Sequence, residues 1–156
     1  MEKYIGRVNK DGTREGIGKV IGNDGRMYIG ELQNGKRNGY GKNVFTDGSI
    51  YIGNFTDHKY NGYGKYVWID GEMYEGNYKD NKRNGYGKHI YTNGDMYDGS
   101  WENGKMNGHG QFTFAKNGKS YIGDFKDDES HGNGKIIDKN GNIIWKGQYK
   151  NDKRWT

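Results

Sequence analysis

Along YIGNF, residues 51–55, side chains alternate: Tyr51, Gly53 and Phe55 fall on one face, Ile52 and Asn54 on the other. GYGKYVW, residues 62–68, repeats the alternation, with Gly62, Gly64, Tyr66 and Trp68 on one face and Tyr63, Lys65 and Val67 opposite. A period of two belongs to a strand. Between such runs stand Asn-Gly and Asp-Gly dipeptides, which favour tight hairpin turns. Helix is disfavoured by 29 glycines and by a single Ala115 and a single Leu32. The pattern predicts β-hairpins from end to end, with strands of about five or six residues.

The alternation is itself periodic. Tyr4, Tyr28, Tyr51, Tyr74, Tyr97, Tyr121 and Trp145 recur at steps of 24, 23, 23, 23, 24 and 24 residues. A glycine follows each anchor by two residues, from Gly6 to Gly147, and an apolar residue by four, from Val8 to Tyr149. Then comes Gly-x-Gly, as in Gly39/Gly41 and Gly62/Gly64, and a closing turn such as Asp47-Gly48 or Asn93-Gly94. Six full units starting at 4, 28, 51, 74, 97 and 121, and a truncated seventh at 145, fill 1–156 as a single domain. Each hairpin pairs with the next, so the expected fold is an all-β, single-layer, elongated, twisted antiparallel sheet of consecutive hairpins. Glycine is needed where a large ring on one strand lies over the backbone of its neighbour.

Composition sharpens this picture. Apolar residues are only 30% of the chain and mean hydropathy is −1.24, which approaches the range of disordered sequences. Net charge is only +5, however, and 14 Tyr and 4 Trp replace the missing aliphatics. Aromatic rings bury large areas each, so a few in register can hold a thin sheet. The absence of cysteine excludes disulfides, thiolate metal sites and a cysteine nucleophile. MEKYIGRVNK carries no apolar h-region, and the expected location is cytoplasmic.

The recurring Tyr-x-Gly-x-aromatic, Asn-Gly-Lys-Arg-x-Gly-Tyr-Gly and Asp-Gly-x-x-Tyr-x-Gly resemble the MORN (membrane occupation and recognition nexus) repeat, over essentially the whole chain. The resemblance implies a non-catalytic single-layer sheet used for protein binding, scaffolding, dimerisation, or association with membrane or cytoskeleton. The weakest matches are EGIGKVIG near the start and DDESHGNGKIID.

No catalytic or metal chemistry emerges from the residues. Gly118-Lys119-Ser120 lacks the earlier glycine of a Walker A loop, since that position is Thr113. His58, His89, His109 and His131 occupy different repeat positions without ligand spacing, and DKNGNII lacks the closing Glu of a Ca²⁺ loop. No enzyme and no cofactor are expected.

Two surfaces remain as candidates. The first is a groove of glycine and aromatics for a partner protein's extended or helical segment, or for a second copy. Tyr28 and Phe45 line its first part, with Leu32, followed by Tyr51, Phe55, Tyr66 and Trp68. Tyr74, Tyr78 and Tyr91 continue it, then Tyr97, Trp101, Phe112 and Phe114. The second is a basic rim in the hairpin loops, Lys36, Arg37, Lys59, Lys82, Arg83 and Lys105, suited to anionic lipid heads but broken at Asp127–Glu129. Nucleic acid is disfavoured because the basic residues do not follow the aromatic face. The terminal runs Tyr4-Ile5-Gly6 and Trp145-Lys146-Gly147 are expected to be open sheet edges that favour self-association. The protein is therefore expected to be a scaffold, with phospholipid binding as the alternative.

Overall fold

A computed structural model describes residues 1–155. The fold is all-β, and it divides into two compact units, Met1–Asn81 and Lys82 onward. The first contains β1 (Lys3–Val8), β2 (Arg14–Ile21), β3 (Met27–Gln33), β4 (Lys36–Val44), β5 (Ile50–Thr56), β6 (Lys59–Val67) and β7 (Met73–Lys79). The second contains β8 (Lys82–Ile90), β9 (Met96–Glu102), β10 (Lys105–Thr113), β11 (Ser120–Lys126), β12 (Glu129–Ile137), β13 (Ile143–Lys150) and β14 (Lys153–Trp155). Within each unit every strand pairs antiparallel with its sequence neighbours, giving a one-layer meander.

The strands are longer than expected, seven residues for β5 and nine for β6. Gly-x-Gly does not end a strand; it carries the strand through a bulge. Gly53 faces Gly64 and Phe55 faces Tyr60, so Asn54 stands opposite three residues. From β3 onward the loops within the hairpins shrink correspondingly to two residues, whereas five, residues 9–13, join β1 to β2. At Asn34-Gly35, Asp57-His58 and Asp80-Asn81 both residues have φ between 47° and 77°, the type I′ geometry that suits the strand twist. Lys36, Lys59, Lys82 and Lys105 are thus the first residues of strands, not loop residues. At the C-terminal end, Trp145 lies inside β13, and β14 pairs with Gln148–Lys150, which corrects the expectation that the Trp145 run is the last strand.

The core is one layer of rings on a row of glycines. The Tyr51 ring lies over Gly53 and Gly64, and its hydroxyl donates to the carbonyl of the bulged Asn54 at 3.0 Å. Tyr4 and Tyr28 repeat the arrangement in the first unit, Tyr97 and Tyr121 in the second, and the Tyr74 hydroxyl makes the same bond to Asn77, with donor distances of 2.6–3.0 Å to the residue three further on. Successive hairpins are locked at their turns. Asn81 donates its N–H to the Tyr60 carbonyl (3.0 Å) while its Oδ1 accepts from the Tyr60 N–H (2.8 Å). His58 grips Arg37 in the same way, through Nδ1 at 3.3 Å.

Candidate functional site

The aromatic face has two levels. In the lower one, the anchor tyrosines meet the residue four further on edge to face. Tyr51–Phe55 centroids are 5.2 Å apart at 84°, Tyr97–Trp101 5.1 Å at 88°. The same contact crosses to the next repeat, Tyr28–Phe55 at 5.3 Å and Tyr97–Phe125 at 4.9 Å. Each such pair adds about 0.5–1.5 kcal/mol beyond area burial. Seven of the thirteen groove residues belong to this level and are buried: Tyr28, Tyr51, Phe55, Tyr74, Tyr78, Tyr97 and Trp101. Their rings are spent on the sheet.

The upper level remains accessible. Phe45, Tyr66 and Trp68 in the first unit are half-buried, with Phe45–Tyr66 centroids at 5.6 Å and Tyr66–Trp68 at 4.4 Å. In the second unit Tyr91 and Phe112 are half-buried and Phe114 is 42% exposed, at centroid separations of 5.8 and 5.0 Å. These residues lie at or just beyond the ends of the even-numbered strands, next to the closing turns. His89, in strand β8, is buried and stacks on Tyr91 at 4.3 Å. Its Nδ1 lies 2.6 Å from an Arg83 Nη, so Arg83 donates and the imidazole is neutral with its proton on Nε2.

Alternation alone does not distinguish a third group of residues. Nine residues after an anchor, or ten after Tyr4, comes a position whose side chain covers a ring of the lower level. Tyr60 stacks on Tyr51 at 3.7 Å and 14°. Arg37 lies over Tyr28 at 5.4 Å and Arg154 over Trp145 at 5.0 Å. The corresponding Arg83 lies over Trp101 at 4.2 Å and donates to the Gly104 carbonyl at 2.8 Å. Arg37 and Arg83 are therefore turned onto the aromatic face, away from the rim. The two-residue turn makes Lys36 the first strand position, and period two sends the next side chain to the opposite side.

The rim lysines are also engaged. Lys36 pairs with Asp57 at 3.1 Å, Lys59 with Asp80 at 3.0 Å and Lys105 with Asp127 at 3.4 Å, in each case at the first turn residue of the following hairpin. The counterpart of Lys82 is Asn103, which carries no charge. These pairs are half-exposed, so Asp57→Asn, which keeps the turn conformation, is expected to cost less than about 1 kcal/mol in a urea melt. A larger loss would make the rim a structural element.

The sequence profile of the family described as MORN repeat matches residues 28–50, 51–73, 74–96, 97–119 and 121–143. The chain belongs to the MORN repeat family. The units beginning at Tyr4 and Trp145 lie outside these matches, although the Tyr4 hydroxyl reaches the Arg7 carbonyl as in the matched repeats. No curated protein matches this MORN chain. Among solved structures it is similar to the SAS-4 (dCPAP) TCP domain of Drosophila melanogaster, in complex with a proline rich motif of Ana2 (dSTIL). Identity is 10%, the match covers 90% of this chain and 75% of that one, and the TM-score is 0.53. A further match is the wild-type TCP10 domain of Danio rerio CPAP, at 14% identity, 92% and 94% coverage and a TM-score of 0.30. At such identities the likeness to the first is one of fold. Among the described residues of the MORN array no helix is long and apolar enough to cross a membrane, and no cluster of three His, Asp or Glu could hold a metal ion.

Proposed function

We propose that this MORN array is a non-catalytic scaffold that binds an extended, proline-rich segment of a partner protein on the upper aromatic level. The observation that carries the reading is the accessible Tyr66–Trp68 pair, standing above a lower level already closed by its own packing. Tilted tyrosine and tryptophan faces form the kind of surface on which a polyproline II segment docks, because the segment is already extended and loses little entropy. The similarly folded SAS-4 domain, solved with a proline rich motif, supports a partner of this class. The six full units and truncated seventh then act as one array spanning 1–156, in a cytoplasmic or cytoskeleton-associated protein. Anionic lipid draws less support, because Lys36, Lys59 and Lys105 each hold a carboxylate and Arg37 and Arg83 cover rings.

The test is titration of a fluorescent proline-rich peptide library. Trp68→Ala is expected to weaken the best ligand at least tenfold, in line with an aromatic hot spot, while Lys59→Gln leaves affinity within about twofold because it sits on the paired rim. Equal affinity in wild type and Trp68→Ala would remove the upper level as the site. A mass that rises with concentration, and no longer does so in Trp68→Ala, would replace the peptide by a second copy. Flotation with anionic vesicles at physiological salt, lost in Lys82→Glu, would favour lipid instead.

A further inference from the structure

The ring-covering position is filled by Arg14, Arg37 and Tyr60 in the first unit and by Arg83, Met106, Ser130 and Arg154 in the second. Only Ser130 is too short to cover a ring. A cavity of about 460 Å³ opens there. Its floor is Tyr121 and Tyr149, whose centroids lie 4.9 Å apart at 77°, with Phe112 and Ile136 along the walls. Asp128 and Asp152 also line it, whereas no lysine or arginine does.

The two carboxylates are held by the turn locks. Asp128 Oδ1 accepts from the Met106 N–H at 2.8 Å, and Asp152 Oδ1 accepts from the Ser130 N–H at 2.7 Å and from its hydroxyl at 2.9 Å. Each lock uses Oδ1, and neither residue takes part in an ion pair among the described residues. The earlier turns that make the same lock place a neutral residue here, His58 with a low pKa or Asn81. For His58 the cause is burial, helped by Arg37 and Lys36. The slot therefore combines two tyrosine rings, two fixed negative charges and the space of a missing guanidinium.

We propose that the slot receives the guanidinium of an arginine carried by the partner, which deepens the partner-binding reading and rests on it. The chain shows the arrangement on its own residues: Arg14 over Tyr4 at 4.9 Å, Arg37 over Tyr28 at 5.4 Å and Arg154 over Trp145 at 5.0 Å. A planar guanidinium stacks on the rings while its N–H fork reaches the carboxylates, which an ammonium does less well. The partner segment thus carries arginine as well as proline.

The probe is N-acetylarginine amide, compared with the neutral isostere N-acetylcitrulline amide, titrated into the full chain and followed by amide chemical shifts. Saturable shifts at Ser130, Tyr149 and Asp152 are expected with arginine alone. Asp128→Asn combined with Asp152→Asn is expected to lower affinity at least tenfold; Asn81 shows that asparagine holds this turn and its lock. Ser130→Arg, which supplies the guanidinium from the chain itself, is expected to abolish binding while the fold stays intact. Equal response to citrulline, no saturable shift at these amides, or unchanged affinity in either variant would overturn the proposal. None of these outcomes touches the proline-rich reading, since the probes contain no proline and the variants leave Tyr66 and Trp68 in place.

Discussion

Gly53→Ala is expected to destabilise the protein by about 3 kcal/mol or more, lowering Tm by roughly 6–12 °C for a chain of this size. An ideal Cβ at Gly53 would overlap the Gly64 Cα and come within 2.6 Å of the Tyr63 carbonyl oxygen and 2.7 Å of the Tyr51 hydroxyl. Two of these three neighbours are backbone, so the strands themselves must separate. At Gly64 the nearest atoms all belong to the Tyr51 ring. The two glycines face each other, yet their substitutions should couple differently to Tyr51. Tyr51→Ala should cancel most of the further cost of Gly64→Ala and little of that of Gly53→Ala, as a double-mutant cycle in urea would show. Gly71 is the control: nothing lies within 4 Å of an added Cβ, but its φ is +88°. Gly71→Ala should cost only the left-handed penalty of about 1–2 kcal/mol. A Gly53→Ala cost equal to that of Gly71→Ala would mean that the ring does not need the glycine row.

That row is also what made most of the fold legible. Tyr51, Gly53 and Phe55 on one face, repeated every 23 or 24 residues between Asn-Gly and Asp-Gly turns, allow little except a meander of hairpins. Alternation gives the face of a side chain but not its height above the sheet. Tyr51 and Trp68 therefore look alike in sequence, although one lies flat and sealed and the other stands accessible. Charge is less legible for a related reason. Lys36 and Arg37 are adjacent in sequence, but a two-residue turn puts them on opposite sides, one toward Asp57 and one over Tyr28. The ring-covering position lies nine residues after each anchor, and ten after Tyr4, where the turn is longer. Its change from arginine, tyrosine or methionine to Ser130 is visible in the repeats once that position is known to matter.

Above pH 10 the protein is expected to lose stability steeply and to unfold before pH 12. Burial pushes the Tyr28 and Tyr121 phenols up to about 12, and raises Tyr51 and Tyr97 further. Neighbouring Glu31 adds to the rise at Tyr28 against the opposing Arg37, and Tyr60 and Tyr40 add to it at Tyr51. An unfolded tyrosine titrates near 10. Between that value and the folded one the native state holds protons that the unfolded state has released, so stability falls as pH rises. The contribution is fully present below pH 10 and is lost through the folded pKa. Each buried ring removes about 1.4 kcal/mol per pH unit in this window. Four together remove about 5 kcal/mol per unit, comparable to the whole stability of an ordinary domain. Phenolate absorbance from the buried rings should therefore rise together with the loss of β circular dichroism, because a ring over the glycine row ionises only when its hairpin opens. Tyr51→Phe keeps the ring and removes one titrating group, at a cost of about 1 kcal/mol for the lost bond to the Asn54 carbonyl. It should make the alkaline loss shallower while lowering stability at pH 7. Full phenolate formation with the circular dichroism intact would show that the rings ionise in place and that the lower aromatic level is open to water.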